Sequence, residues 1–163
     1  MVRNIEYNPF YTKITGKALH IQMELCSMTL KKAIKKIDHE LNECQEKSII
    51  KVGSYITTQF LYEIVDAVYY LHSQSPKIIH RDLKPENIFV TEGSNGNFIK
   101  IGDFGLAVEY GNMDEEDHKN IRLSQGQGTL KFIAPEVENS NNYNEKCDIY
   151  SMGAVGWTIC NNW

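Results

Sequence analysis

Apolar and polar residues first fall into a regular order at ALHIQMEL, where Leu19, Ile21, Met23 and Leu25 alternate with His20, Gln22 and Glu24. A period of two puts one set of side chains on one face, so this stretch predicts a half-buried β-strand. Residues 1–17 before it are polar and unpatterned and read as the tail of a loop. From Leu30 the period changes. Leu30, Ala33, Ile34, Ile37 and Leu41 recur at helical spacing, with Lys31, Lys32, Lys35 and Lys36 on the opposite, solvated face. Beyond a break expected at Gly53-Ser54, Ile56, Phe60, Leu61, Ile64, Val65, Val68 and Leu71 form a broader stripe, a second helix that ends near Pro76. Residues 88–91 and 98–101 flank the turn sequence EGSNGN and predict a β-hairpin. Gly102 to Pro135 is polar and punctuated by glycine, with an acidic run from Asp114 to Asp117, and predicts a mobile loop. The last segment, CDIYSMGAVGWTIC, is apolar on nearly every side and predicts a fully buried helix.

Composition sharpens this picture only slightly. The chain has 163 residues, 42% hydrophobic and 23% charged, the balance of one soluble globular domain. A net charge of -4 argues against nucleic acid as a partner. Cys26, Cys44, Cys147 and Cys160 stand far apart, without the paired spacing of a zinc site, and are expected to be reduced thiols. No apolar run approaches the roughly 18 residues of a membrane helix, and MVRNIEYNPFYTK lacks the apolar core of a signal peptide, so the expected location is cytoplasmic.

Chemistry concentrates in IIHRDLKPENIFV, residues 78–90, between the long helix and the hairpin. Asp82, Lys84 and Asn87 fall there within six positions. Phosphoryl transfer needs such a set, because its barrier falls mainly through charge neutralisation and alignment of the acceptor. A carboxylate orients the attacking hydroxyl and takes its proton, a role that suits Asp82. An ammonium faces the migrating oxygens, which suits Lys84, and oxygen ligands hold magnesium on the nucleotide, which suits Asn87 and Asp103.

HRDLKPEN, then KIGDFGLA at 100–107, GTLKFIAPE at 128–136 and DIYSMG at 148–153, resembles the order of motifs in protein kinases. The resemblance implies an α+β, protein kinase-like fold, mainly its helical C-lobe with the hinge strand. It implies ATP and Mg2+ as cofactors and a protein substrate as partner, with no nucleic acid and no membrane. Lys84 and Thr129 look like the serine/threonine branch, in which they bridge to the catalytic aspartate. Met23 resembles the gatekeeper of the family's fifth strand. The Glu24 carbonyl and Cys26 N–H would then meet the adenine edge, Phe89 would floor the ring, and Glu86 would join the nucleotide-contacting set. Arg81 resembles the basic pocket that grips a phosphorylated activation loop, with Ser124 as the expected phosphosite. Asp148 resembles the buried carboxylate that braces the catalytic loop. LHIQMELC and NIF further resemble the kinases of the translation initiation factor 2 alpha subunit, a candidate substrate.

The resemblance covers residues 18–163 as a partial kinase domain truncated at both ends, after a lead-in at 1–17. No GxGxxG occurs in the chain, and no strand lysine precedes residue 18 to clamp the phosphates. The expectation is therefore a kinase fragment inactive by itself. The alternative is a non-catalytic half-kinase acting as a binding or regulatory module.

Overall fold

A computed structural model describes residues 13–15, 18–20, 23–43, 47–91, 98–110, 130–139 and 144–161. Two short strands come first, β1 (Lys13–Thr15) and β2 (Ala18–His20), paired antiparallel with Ile14 opposite Leu19. Among the described residues the alternating stretch therefore forms strand at Ala18–His20, and part of the expected lead-in is its partner. Residues 23–26 have no regular structure, and Met23 and Leu25 are 76% and 93% exposed. Alternation buries a face only where another layer covers it, and no described residue covers this one.

Next, β3 (Met28–Thr29) runs directly into α1 (Leu30–Glu43). The Thr29 hydroxyl caps this helix, accepting the Lys32 N–H at 3.4 Å. The Lys31 N–H, another donor of the first turn, is taken by the carbonyl of Pro85 at 3.0 Å. Leu30, Ala33 and Ile34 are buried and the four lysines exposed, as the periodicity required.

The second helix, α2 (Lys47–His72), is longer than its sequence suggested, because it runs straight through Gly53-Ser54. A helical glycine costs about 1 kcal/mol, too little to break a helix held by tertiary packing along its length. Thr58 also donates to the Ser54 carbonyl at 2.8 Å within that turn. Phe60, Ile64, Val68 and Leu71 are buried, whereas Val65, expected on the same stripe, is exposed.

After the short strand β4 (Ile78–Ile79) a loop leads into the hairpin β5 (Ile88–Val90) and β6 (Ile99–Ile101), with Phe89 opposite Lys100. β5 also pairs with β3, making a three-stranded sheet in the order β3-β5-β6. A 3-10 turn (Phe104–Leu106) precedes β7 (Val108–Glu109), which pairs back on β4. A second 3-10 turn (Leu130–Phe132), α3 (Pro135–Asn139) and α4 (Lys146–Cys160) complete the described chain.

The main core joins Leu30 and Ile34 of α1, Phe60 and Ile64 of α2, Ile88 and Ile99 of the hairpin, and Val155 and Ile159 of α4. Each such side chain contributes about 1.5–3 kcal/mol on leaving water. α4 is not buried all round. Ile149, Tyr150 and Trp157 are exposed, Trp157 at 72%, because only the opposite side of the helix meets the core.

Candidate active site

The loop between β4 and β5 takes its shape from Asp148, a fully buried carboxylate in the first turn of α4. Its two oxygens accept the N–H groups of His80 and Arg81, each at 2.8 Å, and Oδ2 also meets His72 Nε2 at 2.9 Å. Arg81 needs this support. Its φ of 69° is a left-handed conformation costing a non-glycine residue about 1–2 kcal/mol. Its side chain is buried, and Nε donates to the carbonyl of Leu106. The brace expected of Asp148 is thus present, together with His72, which drew no notice in the sequence.

Asp82 follows immediately. Its Oδ2 receives Lys84 Nζ at 2.7 Å and Asn87 Nδ2 at 2.8 Å, and the same Asn87 amide also donates to the Asp82 carbonyl at 3.0 Å. The three residues singled out in the loop therefore form one hydrogen-bonded cluster, little exposed to water. Asp103 arrives from the hairpin: Gly102 donates to the Asn87 carbonyl at 2.9 Å, which brings the end of β6 to the end of the loop. Asp103 is left-handed (φ 60°) and accepts the Gly105 N–H at 3.4 Å, a turn that suits a short polar side chain.

His80 ties the loop to the end of β6. Its Nε2 donates to the Gly102 carbonyl at 3.1 Å, Nδ1 accepts the Asp82 N–H at 3.3 Å, and its ring lies edge-on to Phe104 with centroids 5.0 Å apart. Burial pushes the imidazole below its ordinary pKa, outweighing the Gly102 bond and the carboxylates Asp148, Asp82 and Asp103. Sequence reasoning passed over His80 although it adjoins Arg81 and Asp82. It also missed Glu63, a buried carboxylate that accepts the N–H groups of Phe98 and Ile99 at 2.6 and 2.8 Å and so seats the hairpin. The available signal was a charged residue at helical spacing from Phe60 inside an apolar stripe.

Ser27 donates to the Val90 carbonyl at 3.0 Å, so the segment carrying Met23, Glu24 and Cys26 is stitched to β5. The Glu24 carboxylate pairs with Lys100 at 2.7 Å. Cys26 is partly buried, and burial, reinforced by Glu24 against Lys100, raises its thiol pKa, so it stays protonated at neutral pH. Phe89 packs so close to Gly102 that a Cβ there would sit 2.8 Å from its ring, and any larger residue before Asp103 would have to displace that ring. The Glu86 side chain turns to α1, where Oε1 pairs with Lys31 at 2.7 Å. Burial acts to raise its carboxyl pKa, but the hydrogen bond from Lys31 wins and holds it below the ordinary range. Ser124, Thr129 and the run from Asp114 to Asp117 lie outside the described residues.

Asn87 and Asp103 supply an amide and a carboxylate oxygen, donors suited to a hard cation. Among the described residues no group of three or more His, Cys, Asp or Glu can hold a metal unaided. Magnesium commonly fills its six positions with phosphate oxygens and water, so this donor pair fits magnesium carried on a nucleotide. No described helix is long and apolar enough to cross a membrane.

The α+β fold and the braced aspartate loop are those of a protein kinase domain. The family model for the protein kinase domain matches residues 5–162, and the chain belongs to that family. It is 35% identical over 145 residues to eukaryotic translation initiation factor 2-alpha kinase 1 of Rattus norvegicus, covering 84% of this chain and 23% of the relative. It is 46% identical over 103 residues to the probable serine/threonine-protein kinase WNK6 of Oryza sativa subsp. japonica, covering 63% of this chain and 21% of the relative. Human mitogen-activated protein kinase kinase kinase 7 is 42% identical over 93 residues, covering 56% of this chain and 14% of the relative. The chain thus spans less than a quarter of the length of these relatives.

Proposed function

We propose that this chain carries the catalytic loop of a serine/threonine protein kinase, which transfers the gamma-phosphoryl group of ATP to a protein hydroxyl. The observation that supports it best is the Asp82 carboxylate held from one side by Lys84 and Asn87. With Oδ2 so engaged, the other oxygen is assigned to orient the attacking hydroxyl and accept its proton. Lys84 faces the transferring oxygens, and Asn87 with Asp103 holds the magnesium that neutralises phosphate charge. Met23, Glu24, Cys26 and Phe89 line the adenine side, and the backbone at Glu86 lies toward the ribose. Arg81 and a phosphorylated Ser124 order the activation segment, and Thr129 joins the Lys84–Asp82 pair. Serine or threonine as acceptor, and the translation initiation factor 2 alpha subunit as candidate substrate, are supported by the names of the similar proteins.

The test compares ATP-dependent labelling of serine and tyrosine peptides by the full gene product and by its Asp82→Asn variant. Serine labelling should dominate and fall at least ~100-fold in the variant. Equal labelling by the variant would remove Asp82 from the mechanism. The 163-residue chain alone should give no measurable magnesium-ATP heat in calorimetry, because its sequence holds no glycine-rich phosphate loop and no clamp lysine. That same lack favours a second reading, a binding module that occupies substrate without turnover.

A further inference from the structure

A cleft of about 300 Å³ opens beside the catalytic loop, between α1, Pro85 and Glu86, the turn at Phe132 and the last turns of α4. Ile34, Pro85 and Phe132 make its apolar floor. Three ammonium groups stand around it, and their charges are not equivalent. Lys31 is neutralised by Glu86 at 2.7 Å. Lys131 is steered by neutral partners: its Nζ lies 3.5 Å from the Thr158 hydroxyl and 4.7 Å from the centroid of the Phe132 ring. Lys35 is exposed and has no anionic partner among the described residues. Two cationic charges are therefore left facing one small cleft on a chain whose net charge is -4.

We propose that this cleft binds an acidic side chain of the protein substrate, its carboxylate between Lys35 and Lys131 and its aliphatic stem on Ile34 and Phe132. The proposal rests on the phosphotransfer reading and names a feature of the substrate it acts on. Placement supports it. α1 is tied to the loop through the bond from Lys31 N to the Pro85 carbonyl, and Pro85 is three residues from Asp82, at most about 11 Å of chain. Phe132 is fixed to α4 by the Ser151 hydroxyl, which donates to its carbonyl at 2.6 Å. An extended peptide with its hydroxyl at Asp82 reaches the cleft within a few residues.

The test measures binding, so it does not depend on turnover. Fluorescent serine-centred peptides carrying one glutamate, alanine or lysine at each position within five of the serine are titrated onto the chain at low salt. One position should favour glutamate over alanine by about two- to tenfold, with the gain lost near 1 M salt. Lys35→Glu and Lys131→Glu should each erase that gain, and Lys35→Glu should prefer the lysine peptide at the same position, a gain that unfolding cannot imitate. Asp82→Asn should keep the preference for glutamate, so loss of phosphotransfer and failure of the cleft are read separately. No glutamate-favouring position, or one that persists in both charge reversals, overturns the proposal.

Discussion

Because His80 donates from Nε2 to Gly102, its Nδ1 is the acceptor of the Asp82 N–H. A second proton would have to enter at Nδ1, against that N–H, in a site with almost no water. The folded protein therefore binds this proton less readily than the unfolded chain does, and the sign follows. Below the ordinary histidine value of about 6.5 the unfolded state holds more protons, so stability falls with decreasing pH until the lowered folded pKa is passed. The unfolding free energy from urea titrations between pH 7.5 and 5.5 should drop, by no more than about 1.4 kcal/mol per pH unit from this residue. His80→Gln should flatten that part of the slope, and an unchanged slope would assign it elsewhere. Residues of this kind divide by sequence distance. Asp82, Lys84 and Asn87 were legible because their cluster is local, whereas the Lys31–Glu86 pair joins positions 55 apart and left Lys31 looking like one more solvated lysine.

Helices were the most readable elements, since a period of 3.6 leaves its mark whatever the partner, and α1 and α4 appear close to their expected spans. Strands were less so. The alternating stretch forms strand at Ala18–His20 and none at residues 23–26, because pairing, rather than pattern, makes a strand, and the partner lies in a segment with no pattern at all. Two glycines of α4 give an element-scale test. A Cβ on Gly153 would meet nothing within 4 Å, whereas one on Gly156 would meet Leu61 Cδ2 at 3.2 Å. Gly153→Ala should raise stability by about 0.5–1 kcal/mol through helix propensity and a less mobile unfolded chain. Gly156→Ala should gain less, as Leu61 must shift to admit the methyl. Thermal or urea unfolding of the two variants checks the order, and a larger gain at Gly156 would contradict the packing between α2 and α4.

For the molecule as a whole, the exposed side of α4 matters most. Ile149, Tyr150 and Trp157 present an apolar strip to solvent, and strips of this sort promote association. Sedimentation should show an average mass that climbs with concentration, and Trp157→Lys should return the chain toward the monomer. A monomer at every concentration would mean the strip is too small to matter. Helical periodicity read this segment as buried because an all-apolar sequence does not say how many sides have neighbours. The brace on Asp148 carries a different consequence, one of timing. The carboxylate lies 67 residues beyond the Arg81 N–H that it holds. A ribosome releases the chain from its N-terminal end, so the strained turn at Arg81 and the posture of Asp82 cannot be set while α4 is still being made. Synthesis that pauses anywhere before that point leaves a nascent chain that already owns every residue of the loop and none of its shape.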